Sequence, residues 1–266
     1  MIIATKGGFL NFDGSEPDDP SDYFQRTLID PGLLRPEDVV AGCHVMSPKY
    51  LENQIDVSRQ NLGLDTLDIY YLHNPETQAS NVAREEFDRR MRAAFAALEK
   101  AVGEGRIRMY GTATWNGYRV RHDSDEALSL PNLLRLAEEV GGKDHHFRAI
   151  QLPYNLAMQQ ARSARTQRFD GKAVPVLQVA RAHGMLVFAS ASLLQQRLTE
   201  SLPEETHAWF PGLEKDAQRA IQFVRSTPGI TSALVGMSRR EHVTENLSTA
   251  QTPPLNLEQF RAIFNK

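Results

Sequence analysis

The residues with the clearest chemical potential are a lysine and a histidine that each close an apolar run. Lys6 follows Ile2-Ile3-Ala4-Thr5 and precedes Gly7-Gly8, and His73 follows Leu67–Leu72 and precedes Asn74-Pro75. In parallel α/β folds the C-terminal strand ends form the functional face, so reactive groups collect at such positions. A lysine there can perturb the pKa of an acid partner, and a histidine can orient or polarise a carbonyl. Taken singly, such residues are more often structural. Other strand ends carry Thr114-Trp115-Asn116, Gln151 with Tyr154-Asn155, and Ser190 with Ser192. Their polar groups could hydrogen-bond a ligand amide, and Trp115 could wall an apolar pocket. Val235-Gly236-Met237 leads into Ser238-Arg239-Arg240-Glu241, a Ser-x-x-Glu capping box opening a helix. Its free N–H groups and two arginines would suit a phosphate, although a plain capped surface helix has the same pattern.

Six apolar runs read as the strands that position these residues: 2–5, 67–72, 109–112, 149–152, 186–189 and 232–235. Between them lie helical periods, the clearest through Phe87, Met91, Ala94, Phe95, Leu98, Ala101 and Val102, ending at Gly103 and Gly105. Others span 51–62, 133–140, 176–182, 217–224 and 243–250. Near-continuous apolar strands separated by helices imply a parallel sheet buried on both faces, hence the α/β class. No G-x-G-x-x-G follows any strand, which weakens the open dinucleotide-fold option. The stretch 9–36, acidic and rich in proline, reads as a long surface loop that would frame an active-site mouth.

The chain has 266 residues, 41% hydrophobic and 24% charged, with a formal net charge of −3. That is the make-up of a globular protein and lacks the basic excess of most nucleic-acid binders, so no nucleic-acid partner is expected. The longest apolar stretch, 185–194, is far short of a membrane span, and no leader pattern opens the chain. A cytoplasmic location is the default expectation. The single cysteine, Cys43, cannot form an internal disulfide, and Cys43-His44 reads as a packing or surface pair. Asp144-His145-His146 and His122-Asp123 lack a second ligand pair at recognisable spacing, so no metal is expected.

Taken together, several stretches resemble the aldo-keto reductase family. They are Ile3-Ala4-Thr5-Lys6-Gly7-Gly8, Leu67 through Pro75, Gly111-Thr112-Ala113-Thr114-Trp115-Asn116, Gln151-Leu152-Pro153-Tyr154-Asn155, Ala189 through Leu198, and Leu234-Val235-Gly236 through Glu245-Asn246-Leu247. The resemblance implies a (β/α)8 TIM barrel that reduces an aldehyde or ketone to an alcohol with NADP(H). It assigns Lys6 and His73 to catalysis, Gln151 to the nicotinamide carboxamide, and Gly236, Ser238, Arg239, Arg240, Glu245 and Asn246 to the adenosine end of the cofactor. Ser190 and Leu193 fall in its cofactor loop; Trp115, read above as a possible pocket wall, is the substrate-binding candidate.

The departures are as informative. In the family a tyrosine donates the proton, and a lysine paired with an aspartate lowers the tyrosine pKa. Both the aspartate and the tyrosine precede the lysine strand, and nothing in this chain maps to either. The expectation is a single barrel domain over 1–266 with about six of eight βα units present, roughly 60–90 residues short. Ser190 stands where many members have tyrosine, Gln196 where related sequences often have glycine, His242 where many have arginine, and Gly236 where lysine is common. NADP(H) is therefore favoured over NAD(H) chiefly through Arg239 and Arg240. Tyr71 and Tyr154 are the remaining phenols that could serve as an acid. The alternative to a reductase is a catalytically inactive nucleotide-binding barrel, or a fragment, without the family acid. An unrelated hydrolase using Asp68 and Glu76 is a third reading, against which Asp68 lies early in its strand.

Overall fold

The computed structural model describes residues 1–265. The chain forms two compact units, residues 1–150 and the residues from Gln151 onward.

In the first unit, β1 (Ala4–Gly7), β2 (Leu67–His73), β3 (Ile107–Ala113) and the start of β4 (Phe147–Pro153) alternate with helices. β1 and β3 both pair with β2 in parallel. Ile69, Tyr70, Tyr71 and Leu72 are buried in succession along β2, the mark of a strand covered on both faces. The helices are Pro48–Leu62, Arg84–Gly103 and Leu130–Gly141. Pro48 opens the first, where its missing N–H costs nothing, and Gly63 at φ 63° ends it in the left-handed conformation that favours glycine. The second buries Phe87, Met91, Ala94, Phe95, Leu98 and Ala101, the 3–4 spacing read from the sequence.

β1 is displaced from the expected 2–5. Ile2 is 63% exposed, whereas the Ile3 N–H donates to Asp68 Oδ2 at 2.8 Å and register pairing begins at Ala4 opposite Ile69. Lys6 therefore lies inside the strand. The stretch 9–36 is also more ordered than a loop. Asp19 Oδ1 accepts from the Asp22 N–H at 3.0 Å and caps a helix over Pro20–Phe24 that widens into a π turn at Gln25–Ile29. Leu28 and Leu34 from this stretch join Val45 and Tyr50 in a separate apolar cluster. Aspartate followed by proline is a helix-start signal, hidden here by the surrounding acidic, proline-rich composition.

In the second unit, β5 (Gln167–Phe169) and β6 (Lys172–Val174) form an antiparallel hairpin absent from the sequence reading. Its Asp170-Gly171 turn, with φ of 49° and 72°, is the Asp-Gly pattern of a tight hairpin. The end of β4, β7 (Leu186–Ser190) and β8 (Ser232–Ala233) belong with the helices Val176–Ala182, Asp216–Ser226 and Arg240–Ser248. β8 is half the expected length and pairs with β7 through Phe188–Ser232 and Ala189–Ala233. The six sheet strands follow chain order, β1-β2-β3-β4-β7-β8, giving the expected α/β arrangement. No helix among the described residues is long and apolar enough to cross a membrane.

Candidate functional site

Register decides what meets at the first candidate site. Lys6 lies opposite Tyr71. Side chains alternate along a strand, so His73, two residues on, shares the face of Tyr71 and of Lys6. Partial shelter from water lowers the Lys6 pKa, although the residue keeps substantial exposure. The half-buried His73 is pushed down to about 4, first by desolvation, then by the Lys6 and His44 charges. It is therefore a neutral imidazole at pH 7. The Phe9 ring meets it edge-on at 5.1 Å.

His44, read from the sequence as a packing or surface residue, supports this corner. It is fully buried, and its Nε2 lies 2.7 Å from the His73 backbone oxygen. Gln78 Nε2 donates to His44 Nδ1 and to the His44 carbonyl, each at 3.1 Å. Since Nδ1 accepts, the hydrogen-bond network assigns the ring proton to Nε2, which donates to His73. Gln78 is oriented in turn by Arg90 Nη1, which donates to its Oε1 at 2.7 Å, and Arg90 Nε donates to Glu86 at 2.8 Å. Gly8, at φ 136°, passes so close that a Cβ would lie 2.9 Å from the His73 oxygen, so the Gly7-Gly8 step is sterically required. Nothing in the spacing around His44 or Gln78 signalled this support in the sequence, which read Cys43-His44 as a packing or surface pair.

Neither remaining phenol reaches a strand-end mouth. Tyr71 is 2% exposed, and burial raises its pKa. Tyr154 is fully buried, accepts from Thr227 Oγ1 at 3.1 Å and stacks on Phe223 at 5.8 Å between ring centroids. Trp115, in the same unit as Lys6 and His73, is 43% exposed just beyond β3. His146, from the Asp144-His145-His146 run, is engaged by Glu99, with Nδ1 2.8 Å from Oε2.

The other candidate residues fall in the second unit. Leu193, Gly236, Ser238, Glu245 and Asn246 line one cleft of about 380 Å³. Gln196, Thr199, Glu200, Lys215, Ala217 and His242 complete it; most of these were not singled out by the sequence. Among the described residues the side chains of Ser238, His242, Glu245 and Asn246 make no hydrogen bond, which leaves their polar groups open to a ligand. Gln151 in β4 and Ser190 at the end of β7, both half-buried, do not line this cleft, nor do the exposed Arg239 and Arg240.

The expected capping box does not form. The helix opens at Arg240, so Arg239 rather than Ser238 takes the capping position, and no side chain caps it. Ser238 lies one residue too early to reach the amide it would need, and the first-turn N–H groups are left exposed. The loop after β7 holds Ala191, Leu194, Gln195 and Gln196 at φ of 53°, 46°, 51° and 70°. Left-handed backbone at non-glycine residues costs about 1–2 kcal/mol each, which gives a physical reason for glycine at the Gln196 position in related sequences.

Comparison with known proteins agrees with this arrangement of elements. The aldo-keto reductase AKR11C1 of Bacillus halodurans, in its holo form, superposes with a TM-score of 0.62 at 18% identity, covering 99% of this chain and 72% of that one. An aldo/keto reductase of Klebsiella pneumoniae in complex with NADP and acetate superposes with a TM-score of 0.54 at 22% identity, covering 80% of this chain and 63% of that one. No curated protein matches the sequence. The model of the aldo/keto reductase family matches residues 1–209, and the chain belongs to that family.

Proposed function

We propose that this oxidoreductase binds NADP(H) and reduces a small aldehyde or ketone to an alcohol. The observation that carries the reading is the placement of neutral His73 and the Lys6 ammonium group on one face of adjacent strands. A neutral imidazole donates an N–H to a carbonyl oxygen without the ion pairing an imidazolium would invite. Lys6 places positive charge beside it, which favours the ionised form of an acid and the negative charge that develops on the oxygen. The family resemblance gives the proton to a tyrosine that has no counterpart in this sequence.

The second-unit cleft suits the adenosine end of the cofactor by its donor chemistry. Glu245 and Asn246 offer an acceptor and an amide for an adenine edge, and Ser238 and the uncapped N–H groups at Arg240 offer donors for phosphate oxygens. Arg239 and Arg240 are exposed and have no side-chain partner among the described residues, which suits them to a 2′-phosphate and is the basis for preferring NADP(H) to NAD(H). When bound, the cofactor would supply hydride to the carbonyl carbon.

The test is NADPH oxidation with a panel of aldehydes and ketones, alongside NADPH binding by titration. Lys6→Ala and His73→Ala should both lower turnover and leave folding intact; unchanged turnover in both removes the site assignment. A second reading, a nucleotide-binding barrel without reductase activity, is favoured by the burial of Tyr71 and Tyr154. It predicts NADPH binding with no turnover on any carbonyl.

A further inference from the structure

A one-turn helix, Glu76–Ala79, follows His73-Asn74-Pro75 and sends one side chain to each neighbouring loop. Gln78 reaches His44, as described above. Glu76 reaches the loop after β3, where three donors converge on its Oε1. They are Thr114 Oγ1 at 2.6 Å, the Trp115 N–H at 2.8 Å and the Asn116 N–H at 3.1 Å. The Thr114 hydroxyl, having donated to Glu76, accepts from the Gly117 N–H at 2.8 Å and closes the turn. A Cβ at Gly117 would lie 2.5 Å from Leu128, so the turn cannot splay to admit a side chain.

We propose that Glu76 is a positioning residue that holds Trp115 as a preformed wall for the carbonyl substrate, an inference that rests on the reductase reading above. Glu76 is 6% exposed, yet the indole it fixes is 43% exposed. Burying a carboxylate is costly unless its hydrogen bonds are good, and here the good bonds all serve one loop. Glu76 Oε2 is buried without a hydrogen-bond partner among the described residues, so the side chain is aimed by Oε1 alone. Above the pinned backbone, Arg119 donates to the Trp115 carbonyl at 3.4 Å and lies 6.0 Å over the indole ring. A large exposed ring on an immobilised backbone contacts a ligand with little ordering entropy left to lose.

The experiment compares Glu76→Ala, Glu76→Asp and Glu76→Gln, using benzaldehyde as the carbonyl probe. Each is also made in a Trp209→Phe background, which leaves Trp115 as the sole indole and lets fluorescence anisotropy read its mobility. Loss of the Oε1 acceptor, or its retreat by one methylene, predicts a rise of about tenfold in KM for Glu76→Ala and Glu76→Asp, with kcat and NADPH affinity within about twofold and a lower Trp115 anisotropy. Glu76→Gln keeps the Oε1 acceptor at full reach and should stay near the parent in KM and anisotropy. In a Trp115→Ala background the Glu76→Ala effect on KM should vanish. Folded Glu76→Ala protein with unchanged KM and anisotropy overturns the proposal, as does Glu76→Gln behaving like Glu76→Ala. Should Glu76→Ala fail to fold, Thr114→Val removes one donor and is expected to raise KM about threefold. If no form turns over, the reductase reading has failed on its own. Anisotropy still decides positioning, falling in Glu76→Asp but not Glu76→Gln if Glu76 holds the ring and unchanged in both if it does not.

Discussion

The strand-end corner of the first unit and the cleft of the second are built on opposite principles. Around Lys6 and His73 the support is a bonded relay, with buried His44 on the His73 carbonyl, buried Gln78 on His44 and half-buried Arg90 on Gln78. Around Leu193 and Asn246 the lining side chains, Ala217 apart, are exposed or half-buried, several polar groups have no partner among the described residues, and the preceding loop holds four non-glycine residues at positive φ. A group that must be neutral at pH 7 and fixed to a fraction of an ångström needs desolvation and preorganised bonds. A surface that takes up and releases a polar ligand needs donors that water can satisfy in between. Substitutions at the two places should therefore fail in different ways.

The largest separation is expected for Lys6→Met. It should lower carbonyl turnover by about 100-fold or more, the scale of lost proton-transfer assistance, while NADPH binding changes less than about twofold. Stopped-flow single turnover and a binding titration measure the two halves, and equal losses in both would erase the contrast. Next comes stability. His44→Ala leaves Gln78 and the His73 carbonyl short of partners in a buried site and should cost about 3 kcal/mol. Ser238→Ala in the cleft should cost no more than about 0.5 kcal/mol. Urea denaturation of both checks this.

The pH dependence of folding sharpens the same point. His73 titrates near 4 when folded against an ordinary 6.5, so between those values the unfolded chain binds more protons. Stability should fall as pH drops from about 6.5 to about 4 and then level off with respect to this group. His44, also lowered by burial, adds to the slope in the same direction. His73→Gln should flatten part of it, and a slope unchanged by that substitution would remove His73 as its source. A smaller effect is expected at the cofactor end. Replacing Arg239 and Arg240 together should weaken NADPH about tenfold and NADH far less; equal weakening would show that neither arginine meets a 2′-phosphate. Smallest of all, Gln196→Gly should relieve left-handed strain and stabilise the protein by up to about 1 kcal/mol, measured by thermal unfolding.

The six sheet strands were legible because each is a near-continuous apolar run, and the helices because their buried residues recur at a 3–4 spacing. The β5–β6 hairpin carried its Asp170-Gly171 signal in plain view, but its strands are only three residues long and show no alternation to count. The helix at Pro20–Phe24 was obscured for the opposite reason, since composition around it argued for a loop. At the candidate site, Lys6, His73 and Trp115 announced themselves by ending apolar runs. His44 and Gln78 did not, and Glu76 entered only as a carboxylate of a hydrolase reading, because a residue that works through a hydrogen bond to a distant loop or backbone atom leaves no local pattern.

The sequence by itself determined the α/β class and the family, since these depend on periodicity and on short motifs whose spacing survives in one dimension. Tertiary structure decided the protonation of His73, the burial of Tyr71 and Tyr154, the uncapped start of the helix at Arg240, and the convergence of three donors on Glu76. Desolvation and hydrogen-bond partnership are properties of neighbours brought together by folding, often from tens of residues away, and no window along the chain contains them.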